Sequence, residues 1–423
     1  MRLRIRIKSK ITVKSGMKLV CAVVIALIPI LFSYKQFFSI SPTYLMLILC
    51  TPFALLRLGN RKLISVKNLG WIVAYLLYCM VSHGIGISEI IVTMLFLIYA
   101  LAANNGVFDE KPIWKSIVVI SCIATVGILL QIICYYLLGT RLFLCPTGLM
   151  EQSVWEMYGV ETSGGALSSA LFRPASFFLE PSMFAQYVVL AVMYLRLSKT
   201  RDKKSFRTTA LFLSVGVVAS TSGIGIASLI VVWLLSYWIE IVENKKLLKG
   251  LAGVLAFVIV FFVAYLVSDS LRESILRVFG LGETSNYNAF AGRTGGVVFM
   301  FEALKGKPEL WYGTGEYIVR WYTWGFLGGI FRIIYEYGMI GAILFVLVFF
   351  SLGLRIKSWH RWIAFYMLAL SLVTGISMQG LLFYYLLICT GTSSLKEKSV
   401  KRISKEDRRK HIDVVKHNNP YKG

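Results

Sequence analysis

The chain has 423 residues, 57% of them hydrophobic and only 16% charged, with a formal net charge of +24. Soluble domains carry roughly 25% charged residues, so this composition and a mean hydropathy of +0.70 exclude an ordinary water-soluble globule. Strict polar–apolar alternation over ten-residue segments is absent too, which excludes a membrane β-barrel.

Taken in chain order, the apolar runs predict membrane-spanning helices over 17–34, 42–56, 69–82, 85–103, 116–138 and 176–195. They continue over 208–221, 223–239, 251–268, 337–354, 362–378 and 380–395. Ser116–Leu138, Leu251–Ser268 and Tyr337–Leu354 contain no Asp, Glu, Lys or Arg. At about 1.5 Å per residue, roughly 20 such residues cross a hydrocarbon core of about 30 Å. The first run follows seven cations, as a secretory signal would, but no convincing small-residue cleavage site follows it. We read it as a retained span. The expected fold class is therefore an all-α polytopic membrane protein with about twelve transmembrane helices. It comprises a basic tail over 1–16, a helical bundle over 17–395 and a second basic tail over 396–423.

The charge distribution assigns the two sides. Segments 1–18, 57–67, 109–115, 196–207, 241–250, 355–361 and 396–423 hold 35 of the 45 cations and have a net charge of +27, whereas the rest of the chain has −3. This is the positive-inside pattern. It makes the first set cytoplasmic, accounts for the basic tails by membrane lipid headgroups, and leaves nucleic acid without a role as partner. The same logic divides the uncharged 32 residues Thr208–Ile239, about 48 Å as one helix, into a hairpin at Ser220-Thr221-Ser222-Gly223. Trp362–Leu395 is divided likewise near Gly375–Gly380.

Two long outer segments remain, 139–175 and 269–336. They carry Trp155, Tyr158, Phe172, Trp311, Tyr312, Tyr317, Trp321, Tyr322 and Trp324, too many aromatics for disorder. Some of these fit an interfacial belt and the rest a folded outer layer. Of the ten outer cations seven are Arg: 141, 173, 272, 277, 293, 320 and 332. Arg binds phosphate through a rigid two-pronged fork, so arginines placed against the charge trend point to an anionic, lipid-linked phosphate. Arg173, Arg293 and Arg320 are the candidates; Arg141, Arg272 and Arg277 are read as partners of outer acids.

Glu180 lies in Phe172-Arg-Pro-Ala-Ser-Phe-Phe-Leu-Glu-Pro-Ser-Met-Phe-Ala, four residues into the expected sixth span. An ionisable group at that depth is a functional candidate, or else an ion pair with Arg173. Glu89 is expected in mid-span. The second outer segment contains Gly313-Thr314-Gly315, Glu316 and Arg320, then Arg332, Tyr335 and Glu336 at the mouth of the tenth span. Gly-Thr-Gly allows a tight turn or close approach to a ligand, and Arg332 and Glu336, four apart, share a helix face. Motifs for zinc proteases, serine hydrolases, phosphate loops and Asp-x-Asp transferases are all missing, and no cysteine pairs as CxxC, so neither cofactor nor metal is expected.

The order of these motifs resembles the O-antigen polymerase and ligase superfamily of bacterial envelope polysaccharide synthesis. Arg-Pro-x-Ser-Phe…Glu-Pro-Ser-Met-Phe-Ala is similar to the family's Arg…Pro-Asn-x-Phe-Ala. Ser220-Thr-Ser-Gly223 is similar to its Ser-Arg/Ser-Gly hairpin, and Tyr335-Glu-Tyr-Gly-Met-Ile-Gly341 to its Glu-x-Gly-x-x-Gly. The resemblance covers about residues 116–390 and departs at Ser182, where the family has Asn, and after Ser222, where an Arg is missing. It implies a GT-C-like glycosyltransferase acting on undecaprenyl-diphosphate-linked oligosaccharide without nucleotide sugar or metal, alongside a chain-length regulator and a flippase. Arg173 and Arg293 would grip the donor diphosphate with Glu180 as a further catalytic group. Arg320, Arg332, Glu316, Glu336 and Tyr335 would contact substrate. Ligases of the superfamily carry a His in the second long outer segment; none lies between 269 and 336, which favours polymerase. A transporter or flippase is the alternative class, and would show internal repeats and mid-membrane charges.

Overall fold

The computed structural model describes residues 13–31, 41–60, 68–82, 86–140, 174–198 apart from Leu179, 204–244, 289–315, 327–375 and 380–391, with scattered positions between. Every regular element among the described residues is helical. In order they are α1 (Val13–Leu31), α2 (Pro42–Gly59), α3 (Gly70–Ser82), α4 (Ile87–Asn104), α5 (Glu110–Leu138), α6 (Pro181–Leu197), α7 (Lys204–Ala219) and α8 (Gly223–Asn244). They continue with α9 (Ala289–Leu304), α10 (Glu309–Tyr312), α11 (Gly329–Arg355), α12 (Arg361–Val373) and α13 (Gly380–Gly391). Within 251–268 the described positions, among them Gly253, Ile259 and Leu266, are helical as well. Five helices (α2, α4, α5, α8 and α11) are long and apolar enough to cross a membrane, and six shorter apolar helices accompany them among the described residues. This is the architecture of a helical membrane protein.

Local sequence explains the helix ends. Ser41 opens α2, its hydroxyl accepting the Thr43 amide at 3.3 Å, and Pro42 takes the first-turn position where no backbone donor is needed. Pro181 does the same for α6. Gly139 closes α5 in the left-handed region at φ 65°, a conformation that costs glycine nothing. The uncharged run Thr208–Ile239 is divided as charge counting requires: α7 ends at Ala219 and Ser222 caps α8, its hydroxyl accepting the Gly225 amide at 3.3 Å. Trp362–Leu395 is likewise two helices, α12 and α13.

Contacts between the helix ends fall into two groups. At one end Lys18 pairs with Asp109 at 2.6 Å, His360 faces Glu110 at 3.3 Å, and Arg196 pairs with Glu240 at 3.2 Å while stacking over Trp233. At the opposite end Gln131 holds Ser176, the Gly329 amide donates to the Thr374 carbonyl at 2.6 Å, and Gly315 meets Ser82. The first group joins the segments rich in cations and the second joins the others. Between the ends, helices approach closely where one side chain is hydrogen: Gly225 on Ala185, Gly216 on Thr125. Lipid is as apolar as Leu, so packing of this kind holds membrane helices together.

Several expected boundaries move. α5 starts at Glu110 and α11 at Gly329, both earlier than the uncharged runs, because a helix can carry charges in the turn that lies outside hydrocarbon. α6 starts later than expected, at Pro181, because 174–178 forms a turn with Ser176 at φ 56°. Glu89 belongs to the first turn of α4 and is not a mid-span charge.

Candidate functional site at the break in α11

α11 is not one continuous helix. Gly338 has φ 69° and ψ −179°, a region essentially restricted to glycine, and divides α11 into a short N-terminal piece and a longer apolar one. A break strands carbonyls that have lost their intrahelical donors, and in a membrane these must be met from within the protein. Gly313-Thr314-Gly315 meets them. The Thr314 amide donates to the Tyr335 carbonyl at 2.9 Å and the Thr314 hydroxyl donates to the same oxygen at 3.1 Å. The Gly315 amide donates to the Glu336 carbonyl at 3.2 Å.

All three glycines have positive φ, 86° at Gly313, 69° at Gly315 and 69° at Gly338. A Cβ on Gly313 would run into the backbone of Glu336 and Tyr337, one on Gly338 into Trp311 and Gly313, and one on Gly315 into the Ser82 carbonyl. The segment 313–315 is therefore pressed between the end of α3 and the break in α11. The Tyr78 hydroxyl fastens it further by donating to the Tyr312 carbonyl at 3.2 Å. The close approach that Gly-Thr-Gly permits is to backbone.

On the N-terminal piece, Arg332 Nε donates to Glu336 Oε1 at 2.7 Å. Glu336 is only 4% exposed and lies within electrostatic reach of Tyr75 and Cys79 of α3. The Arg332 side chain is 28% exposed and its Nε is tied to Glu336. Tyr335, half-buried between them in sequence, supplies the carbonyl that Thr314 holds. The break thus gathers Arg332, Tyr335 and Glu336 of the expected site residues.

Glu180 belongs to a second group. It precedes α6 as its cap residue, with φ −132° and ψ 150°, and is not inside an apolar helix: Pro181 fixes the first turn after it. Its Oε2 accepts the Ser182 hydroxyl at 2.5 Å, so the residue standing where the resembled family has Asn holds the carboxylate. The turn before it is anchored by Gln131, whose Oε1 accepts the Ser176 amide at 2.8 Å and whose Nε2 donates to the Leu142 carbonyl at 3.0 Å. One amide side chain of α5 thereby ties both ends of the first long connection. No charge marks Gln131 in the sequence; its signal is a lone amide within an apolar run, where an unmatched polar group is costly.

Arg173, Glu316 and Arg320 lie outside the described residues. The backbone at Arg293 is helical within α9, and its side chain lies outside the described residues. So do the aromatics at 155, 158, 172, 317, 321, 322 and 324, while Trp311 and Tyr312 of α10 are exposed. Among the described residues no group of three His, Cys, Asp or Glu is placed to hold a metal ion.

No protein family, curated protein or solved structure matches this chain. The site therefore speaks through its own geometry. It offers a partly exposed guanidinium, a buried carboxylate bonded to it, and backbone hydrogen bonds that hold the break beside both. Such a guanidinium binds an oxyanion by charge-assisted hydrogen bonds, and its orientation is set before the ligand arrives.

Proposed function

We propose that this protein is a GT-C-like membrane glycosyltransferase of about twelve spans that polymerises undecaprenyl-diphosphate-linked oligosaccharide repeats. It works at the outer face of the bacterial inner membrane, with both termini in the cytoplasm. The growing glycan passes from its lipid diphosphate to a hydroxyl of the next lipid-linked repeat, and undecaprenyl diphosphate leaves.

The observation that carries this reading is the Arg332–Glu336 pair on the broken helix α11, at the bundle end remote from the cation-rich segments. An ionisable pair set into a helix of this class is a functional site by default. The identity of the substrate rests on the resemblance in motif order, and on the excess of Arg among the outer cations. In this scheme Arg173 and Arg293 grip the donor diphosphate and Arg332 and Arg320 contact substrate. They stabilise the charge that grows on the leaving group, and Glu180 receives the acceptor proton.

The break in α11 also bears on the alternative class. Transporters use carbonyls freed at such breaks to coordinate the coupling cation. Here the carbonyls of Tyr335 and Glu336 are taken by Thr314 and Gly315, which favours a fixed platform over an ion site. Deleting the gene and sizing surface polysaccharide on a gel separates the readings. The polymerase reading expects single-repeat products, whereas loss of all attachment would indicate a ligase. Long chains at normal abundance would overturn both.

A further inference from the structure

We infer that Thr314 is a positioning residue, which clamps the break in α11 and thereby sets the direction in which Arg332 points. This rests on the proposed function for its consequence in activity, but the clamp itself can be read without any substrate.

The N-terminal piece of α11 is joined to the rest of its helix through Gly338, where the backbone leaves the helical region. A helix piece beyond such a joint takes its orientation from whatever else holds it. Two tethers are visible at its ends. The Gly329 amide donates to the carbonyl of Thr374, the residue that caps the end of α12, at 2.6 Å. Near the joint, Tyr335 and Glu336 are bonded to Thr314 and Gly315. Arg332 and Glu336 sit between these tethers, so their direction depends on both. Within 313–315 only Thr314 has a side chain beyond hydrogen, and it doubles the backbone bond by placing its hydroxyl on the same Tyr335 oxygen.

Two hydrogen bonds from one residue to one carbonyl fix the approach angle as well as the distance. The strap has nowhere else to go, because Gly315 is against Ser82 on its far side. The Tyr78–Tyr312 bond anchors its near end to α3. The clamp therefore relates α3 to the N-terminal piece of α11. Thr314 acts through Tyr335 and touches no substrate itself.

The test uses the full chain in lipid nanodiscs with Thr314→Val, which keeps the shape and the amide but removes the hydroxyl, and Thr314→Ser, which restores it. Hydrogen–deuterium exchange at the Thr314 and Gly315 amides reads the clamp. The polymerisation rate on lipid-linked repeats, resolved into kcat and KM, reads the site. The expected result for Thr314→Val is exchange at least tenfold faster and kcat at least tenfold lower. Thr314→Ser should stay within about twofold of wild type in both. Unchanged exchange in Thr314→Val would overturn the clamp whatever the activity does. Faster exchange with unchanged kcat would overturn the positioning role. If the wild-type protein itself forms no polymer, the proposed function fails, and exchange still decides the clamp.

Discussion

Gly338→Val should strongly destabilise the protein and reduce its amount in the membrane. A β-branched residue at φ 69° and ψ −179° meets backbone strain of about 1–3 kcal/mol. Its Cβ also collides with the Trp311 carbonyl and the Gly313 amide, which are backbone atoms and cannot rotate away. Overpacking of that kind adds about 1–3 kcal/mol. Against a total stability of about 5–15 kcal/mol, the combined loss is large. Thermal unfolding of the purified protein, followed by tryptophan fluorescence, measures it. Gly295→Ala is the control, since a Cβ there meets nothing within 4 Å in the middle of α9 and helix propensity favours alanine. Equal unfolding midpoints for wild type and Gly338→Val would mean that α11 is not broken where we place the break.

The second large effect concerns the Arg332–Glu336 pair. Arg332→Ala removes the guanidinium from a carboxylate that is 4% exposed, at a cost of about 3 kcal/mol for a partly exposed pair. Replacing both partners by apolar residues of similar size, Arg332→Met with Glu336→Leu, should recover most of that stability, because no buried charge is then stranded. Activity should not recover. Loss of a charge contact made in the transition state costs roughly a hundredfold or more in rate. Gel analysis of chain length, with protein amount checked beside it, reads the second quantity. If the double variant makes polymer of wild-type length, the pair only holds the helix and takes no part in the chemistry.

Much of this architecture could be read from charge and hydropathy alone. The two hairpins α7–α8 and α12–α13 followed from cation counts on their flanks, because a basic loop resists translocation whatever the helices do. The Arg332–Glu336 pair followed from helical spacing, which places residues four apart on one face.

The break at Gly338 was not legible. The sequence Tyr335-Glu-Tyr-Gly-Met reads as an ordinary helix entry, since a single glycine is tolerated inside helices. Whether it bends depends on a partner 24 residues earlier, Thr314, that supplies the missing donors. The start of α6 was misplaced for a related reason. Ala175–Phe178 is apolar apart from Ser176, and apolar residues in a turn look the same as apolar residues in a span. The turn is fixed by Gln131, on a different helix 45 residues away. Glu180 consequently shifted from the interior of a helix to its cap. There its carboxylate accepts the Ser182 hydroxyl at 2.5 Å.

The central claim is that this chain alone elongates a glycan on its lipid carrier. The most direct measurement incubates the purified full-length protein in nanodiscs with undecaprenyl-diphosphate-linked single repeats, with no nucleotide sugar added. The products are resolved by size and the released undecaprenyl diphosphate is quantified. The account predicts a ladder of chains, with one undecaprenyl diphosphate released for each linkage formed. Repeats that stay single and fully lipid-linked, with protein that remains folded, would contradict it.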